Sequence, residues 1–268
     1  MESEKIMSRN IFITGGMGGI GQACVQKFVQ QGDKVMFTFA TEKANQVEAE
    51  KFAKTIGPTA TALAIDMGNP ESIRAALEKS VKVMGSIDTL VNAAAVGSAT
   101  VNSYASDKDS QDLKMMEINA FGALKISEAF IELNKNSTVV KKLINFSSVG
   151  GGFQAFPNFR LSDGMSKAAV SFLTRQLAAE NVHSNIDVFA IAPGATNTGM
   201  FQASTLNKMS EKEKGEFILN LPKARLIEPE EIADLVIFLA AKASTYLHGA
   251  VIDASMGLGS RPGLISEM

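Results

Sequence analysis

Ile11-Phe12-Ile13-Thr14-Gly15-Gly16-Met17-Gly18-Gly19-Ile20-Gly21 runs from an apolar segment of strand type into a glycine-rich turn, and a helix-forming segment, 22–31, follows at once. Glycine has no Cβ, so it reaches positive φ and lets another group lie against the backbone. A strand, such a turn and a helix N-terminus together offer unpaired N–H groups and the positive end of a dipole to a phosphate. The spacing Gly15-x3-Gly19-x-Gly21 differs from the commoner G-x-G-x-x-G but works by the same mechanics. A turn of this kind also serves as a tight strand-to-helix connection with no ligand, so its surroundings decide between the two.

Outward from that turn, strand-like and helix-like segments alternate. Strands are expected at 9–14, 34–39, 61–65, 87–92, 142–147, 186–192 and 250–254. Helices are expected at 20–31, 42–56, 70–84, 110–133, 164–181 and 229–241, with Pro70 suited to a first helical turn. Seven strands separated by helices imply one α/β domain, a doubly wound parallel sheet covered by helices on both faces. No linker or internal repeat divides the chain. Residues 1–268 read as a single domain, with an irregular, partly helical insert at 195–226.

Composition narrows the partners. Hydrophobic residues make up 46% and charged residues 20%, ordinary for a chain with a good core. A net charge of −2 without a basic cluster argues against nucleic acid and anionic membranes. The polar, charged first ten residues do not resemble a signal peptide, and no apolar run reaches the ~18–20 residues of a membrane helix. A cytoplasmic protein is expected. Cys24, the one cysteine, is expected to be core packing, and His183 and His248 match no metal spacing.

In such sheets ligands sit beyond the carboxyl ends of the strands. Small and polar groups recur there: Thr14-Gly15, Asp66, Asn92-Ala93-Ala94-Ala95, Ser147-Ser148 and Pro193-Gly194.

This constellation resembles the short-chain dehydrogenase/reductases, from about Arg9 to Gly257, and most of all the 3-oxoacyl-thioester reductases. The resemblance implies a Rossmann fold whose glycine turn (Gly15, Met17, Gly19, Ile20, Gly21) holds a dinucleotide. Asp66 and Met67 would meet the adenine, and Asn92 and Ala93 would lie beside the cofactor. Pro193, Gly194, Thr196 and Thr198 would clamp the carboxamide and diphosphate. Asn119 matches the asparagine inside the family's long helix, Ser148 the serine that positions substrate, and Lys167 the lysine that grips the ribose. Ser147 takes the serine role if the register shifts by one.

One departure stands out. The family's active-site helix opens with Tyr-x-x-x-Lys, but here Asp163 stands four residues before Lys167, and the only tyrosines are Tyr104 and Tyr246. Phe156-Pro157-Asn158-Phe159 has an enoyl-reductase flavour, but no tyrosine stands there either. In a ketone reductase the developing alkoxide takes a proton from a phenol whose pKa near 10 is lowered by lysine. Asp163, with a reference pKa of ~3.9 and a lysine neighbour, is expected to be ionised and without a proton to give. At the start of its helix it reads equally as a cap.

Three functions remain open: a carbonyl-reducing oxidoreductase using Ser148, Lys167 and water, or Tyr104; a non-catalytic dinucleotide-binding homologue or partner subunit; and an Asp163-dependent elimination or isomerisation enzyme. At the end of the second strand Phe39 and Ala40 replace the acid that would accept an NAD ribose, with Glu42 slightly beyond. Thr41 and Lys43 suit a 2′-phosphate, so NADP is expected, with NAD as the alternative. Met200, Met209 and Phe217 in the insert are candidates for an acyl-chain pocket, and the substrate would be a small molecule or an acyl-carrier-linked one. Apolar stripes on the helices near 112–133 and 165–179 imply a homo-dimer or tetramer, or a hetero-oligomer with a Tyr-bearing homologue.

Overall fold

The computed structural model describes residues 8–41, 43–157 and 159–260. Its sheet consists of β1 (Asn10–Thr14), β2 (Lys34–Ala40), β3 (Ala60–Ile65), β4 (Thr89–Asn92), β5 (Lys141–Phe146), β6 (Ile186–Pro193) and β7 (Val251–Ala254). All seven are parallel in the order β3-β2-β1-β4-β5-β6-β7, so the order reverses between β1 and β4. The helices are α1 (Gly19–Gln30), α2 (Lys43–Ile56), α3 (Pro70–Met84), α4 (Lys108–Met116), α5 (Gly122–Asn134), α6 (Leu161–Glu180), α7 (Gly199–Ser204), α8 (Glu211–Asn220) and α9 (Pro229–Leu239).

Burial on both faces explains the near-continuous apolar strands. Successive side chains of β1 point to opposite faces: Ile11 and Ile13 pack with Cys24, Phe28 and Val236, whereas Phe12 packs with Leu77, Ile126 and Phe130. Cys24 sits in that first core as expected, and burial pushes its thiol up to about 12. His248 is structural: Nδ1 accepts from the Val188 N–H at 3.2 Å and Nε2 lies 2.8 Å from the Ala178 carbonyl.

The long helix expected at 110–133 is interrupted by a π turn over Glu117–Phe121. The helix expected from 164 begins at Leu161 instead. Arg160 Nε (2.7 Å) and Ser162 Oγ (2.5 Å) both donate to Asp112 Oδ1, and this anchor on α4 starts the helix ahead of Gly164. Asp163 is therefore not its cap: Arg160 holds that position and Asp163 lies within the first turn. In the insert, α8 opens with a Ser210–Glu213 capping box, and a parallel bridge between Thr196 and Ile227 ties the two ends together. Glu42 and the Lys43 side chain lie outside the described parts.

Candidate active site

The glycine turn is built by contact as much as by flexibility. Gly15 adopts φ +64°, and a Cβ there would lie 2.7 Å from Ala94 Cα, on the loop after β4. A Cβ on Gly21 would lie 2.1 Å from the Gly15 carbonyl oxygen, so the turn closes onto the first turn of α1 only without side chains. Gly18 and Gly19 stay exposed, and the first turn of α1 carries no acidic residue. Its leading N–H groups have no carbonyl partner within the helix, which fits an anionic diphosphate.

The strand ends beside the turn are locked by a buried polar chain. Thr14 Oγ1 donates to Asn92 Oδ1 (2.9 Å), Asn92 Nδ2 to Asn145 Oδ1 (3.1 Å), and Asn145 Nδ2 to Thr174 Oγ1 (3.2 Å). Beyond those ends lies a cavity of about 1630 Å³. It brings together Gly15, Met17, Gly19, Ile20, Gly21, Ala93, Ser148, Asp163, Lys167, Pro193, Gly194, Thr196 and Thr198.

Five expected site residues do not line it. Asn92 is 4% exposed and committed to the polar chain, so its side chain holds the sheet rather than a ligand. Asn119 is 2% exposed; its Oδ1 accepts from Val96 N (2.8 Å), and its Nδ2 donates to Val96 O (2.9 Å) and Ser166 Oγ (3.2 Å). That side chain pins the loop after β4 across the π turn and has no donor left for a water relay. Asp66 is exposed and accepts from Gly68 N at 2.9 Å, while Met67 is buried in the core. Thr41 is exposed beyond β2.

Both serines after β5 line the cavity, but they differ in burial and bonding. Ser147 is buried, with Oγ on the Lys167 carbonyl (2.9 Å) and Ser171 Oγ (2.7 Å). Ser148 is half-buried on the cavity wall; its Oγ accepts from Gly150 N at 3.2 Å, and its proton meets no protein acceptor among the described residues. Lys167 Nζ donates to the Phe146 carbonyl at 3.4 Å.

Asp163 sits one turn before Lys167, and Ser98 Oγ lies 3.4 Å from its Oδ2. Burial raises the Asp163 carboxyl above the ordinary range, against the pull of Lys167, the Ser98 bond and Arg160. Burial likewise lowers the Lys167 ammonium, against the pull of Asp163. The lysine alone would move the Asp163 value down; the shift is upward instead, because the pair lies outside ion-pair distance and desolvation outweighs the attraction.

Several wall residues carried no signal in the sequence. Asn45 comes from the start of α2, Ser98 from the loop after β4, and Arg160 from the foot of α6. Tyr104 reaches the wall from the loop after β4. Two aromatic pairs, Phe156 with Phe159 and Phe201 with Phe217, each with ring centroids 6.3 Å apart, line the same space with Met200, Met209 and Leu221.

A family model described as enoyl-(acyl carrier protein) reductase matches residues 15–259. The chain is 30% identical over 264 residues to the oxidoreductase UcpA of Escherichia coli (strain K12), covering 95% of this chain and 96% of the relative. Among solved structures, the 3-ketoacyl-(acyl-carrier-protein) reductase of Brucella melitensis complexed with NADH is 25% identical at a TM-score of 0.81, covering 94% of this chain and 98% of that one. The Pseudomonas aeruginosa RhlG/NADP active-site complex is 27% identical at a TM-score of 0.81, covering 94% and 97%.

Proposed function

The chain belongs to the short-chain dehydrogenase/reductase family, and from that membership we propose that it is an NAD(P)-dependent oxidoreductase that reduces a carbonyl. The observation that carries this reading is the convergence of the glycine turn, Ser148 and Lys167 on one cavity at the ends of β1, β4, β5 and β6. Exposed Gly18 and Gly19 and the N-terminus of α1 would hold the diphosphate, with Thr198 opposite Gly19. Pro193, Gly194 and Thr196 would face the nicotinamide, and Lys167 would hold its ribose. When bound, a reduced nicotinamide supplies the hydride. Ser148 has a free proton with which to hold the substrate oxygen. Asp163 stands where the family's tyrosine is expected.

NADP is the proposed cofactor, with NAD as the alternative. No acid stands at Phe39-Ala40-Thr41 to accept a ribose 2′-hydroxyl, and solved relatives are complexes with NADP and with NADH. The aromatic and methionine wall favours a carbonyl on an apolar body, such as a 3-oxoacyl thioester or a similar small ketone, free or carried on an acyl carrier. Exposed Leu113, Leu161, Met165 and Phe172 favour a homo-dimer or tetramer, a hetero-oligomer with a Tyr-bearing homologue being the alternative. No helix among the described residues is long and apolar enough to cross a membrane, and we place the protein in the cytoplasm as a single domain with a substrate-covering insert at 195–226.

The test is direct. NADPH and NADH are titrated against the purified protein by nicotinamide fluorescence, and their oxidation is followed with 3-oxoacyl thioesters, simple ketones and an enoyl thioester. Binding with turnover of the oxo compounds is expected. Failure to bind either dinucleotide rejects the reading, and binding without turnover across the panel rejects the reductase and leaves the non-catalytic homologue and the Asp163-dependent elimination or isomerisation enzyme.

A further inference from the structure

We propose that Asp163 is the acid of the reaction: a neutral carboxyl group that gives its proton to the oxygen of the carbonyl being reduced. The inference rests on the oxidoreductase reading above. It starts from the position of the side chain, on the cavity wall with Ser148 and one turn from Lys167 on the same helix. Asp163 is half-buried on the cavity wall, and a carboxylate partly removed from water is held in its charged form by several donors or a close cation. Asp163 has neither. Among the described residues its one side-chain hydrogen bond comes from Ser98, at the long distance of 3.4 Å.

The cations nearby are turned elsewhere. Arg160 gives Nε to Asp112 Oδ1 (2.7 Å), Nη1 to Gln111 Oε1 (3.1 Å) and Nη2 to the Lys108 carbonyl (3.2 Å). Lys167 gives Nζ to the Phe146 carbonyl. No ammonium or guanidinium among the described residues comes within 4.0 Å of the Asp163 carboxylate. The upward direction of its ionisation agrees with this geometry. Ser98 approaches Oδ2, and Oδ1 has no side-chain hydrogen bond among the described residues.

The step balances. Hydride adds to the carbonyl carbon, and the carbonyl π pair moves onto oxygen. The Asp163 O–H bond breaks as the new alcohol O–H forms, so the substrate is reduced by two electrons and the dihydronicotinamide is oxidised. Water then returns a proton to the Asp163 carboxylate, with Lys167 beside it. An ionised Asp163 would repel the same alkoxide, so one proton separates a helpful residue from a harmful one.

The experiment reads the proton and the rate separately. With the protein labelled at its aspartate carboxyls, the infrared difference between wild type and Asp163→Asn is followed against pH with oxidised dinucleotide bound. The expected result is a protonated-carboxyl band that persists well above the ordinary aspartate value of about 3.9. In parallel, Asp163→Asn should lose about 10²–10⁴-fold in kcat while its dinucleotide Kd is unchanged. Wild-type kcat should fall as pH rises through the value at which the band disappears, and Asp163→Glu should keep that descending limb at reduced rate.

A band that vanishes in the ordinary carboxylate range overturns the proposal. So does Asp163→Asn turning over at the wild-type rate, or Tyr104→Phe abolishing turnover while Asp163→Asn does not. The unchanged Kd shows that the variant is folded. Binding with an ionised Asp163 removes this proposal alone, whereas no dinucleotide binding at all removes the oxidoreductase reading and the proposal with it.

Discussion

At the end of β5 the Ser147 hydroxyl is tied between the Lys167 carbonyl (2.9 Å) and Ser171 Oγ (2.7 Å), while the Ser148 proton is left for the cavity. Neighbouring serines should therefore fail in different ways. Ser148→Ala should lower kcat by about 10²–10³-fold with dinucleotide affinity intact, the cost of removing one donor from a developing oxyanion. Ser147→Ala should leave the chemistry nearly unchanged and cost about 1 kcal/mol of stability, read by denaturant unfolding. Asp163 and Lys167 give stability opposite pH signatures. The Asp163 value is raised, so its contribution is full below the ordinary aspartate range and is lost as pH climbs through the raised value. The Lys167 value is lowered, so its cost applies at low pH and disappears as pH climbs through the lowered value toward the ordinary lysine range. Relative to wild type, Asp163→Asn should gain stability with rising pH and Lys167→Met should lose it, measured as unfolding free energy across that span.

Among the elements, the start of α1 meets the N-cap of α7, which couples the glycine turn to the insert. A Cβ on Gly19 would lie 2.8 Å from Thr198 Cγ2, and Thr198 Oγ1 caps α7 by accepting from Phe201 N at 3.2 Å. Gly19→Ala should push Thr198 away and weaken dinucleotide binding by about tenfold, the effect of roughly 1.4 kcal/mol. Thr198→Ser removes Cγ2 but keeps the cap, so the double variant should recover much of the loss in the same titration. Gly21→Ala has no such rescue, because its Cβ would meet backbone at 2.1 Å. The π turn between α4 and α5 is held by the three Asn119 side-chain bonds to Val96 and Ser166. Asn119→Ala leaves the Val96 groups unpaired at roughly 1–3 kcal/mol each, so Tm should fall together with kcat as the loop bearing Ser98 loosens.

Across the chain as a whole, one sheet sets every strand end on the same edge, and several of the exposed apolar side chains lie on α4 and α6. Met165 is 60% and Phe172 64% exposed on α6, and Leu113 is 72% exposed on α4. Exposed apolar side chains of this size fit the oligomer contact proposed above. Met165→Glu with Phe172→Glu should convert a homo-oligomer to monomers in sedimentation velocity without loss of the far-ultraviolet helical signal. A wild type that already sediments as a monomer would contradict the assembly proposed here. The polar chain Thr14–Asn92–Asn145–Thr174 runs from β1 across β4 and β5 to α6, so Asn145→Leu should be among the more destabilising single changes: Asn92 Nδ2 loses its acceptor and Thr174 Oγ1 its donor.

Much of this was legible in the chain before any coordinates. Alternating apolar runs and breakers announced seven parallel strands, because burial on both faces demands apolar strands and each parallel return demands a helix. The glycine spacing and the small polar strand ends located the cavity, since backbone can approach a ligand closely only where side chains are small. What remained hidden depended on distances between residues remote in sequence. Asn92 and Asn119 look like ligand contacts until their partners across the sheet and loop are known. Ser98 and Arg160 carry no periodic signal, and only packing brings them to the wall. The choice between Ser147 and Ser148 needed the direction of each hydroxyl. The direction of the Asp163 shift turned on burial set against a lysine one turn away, a competition between desolvation and Coulomb attraction that spacing in a sequence does not contain.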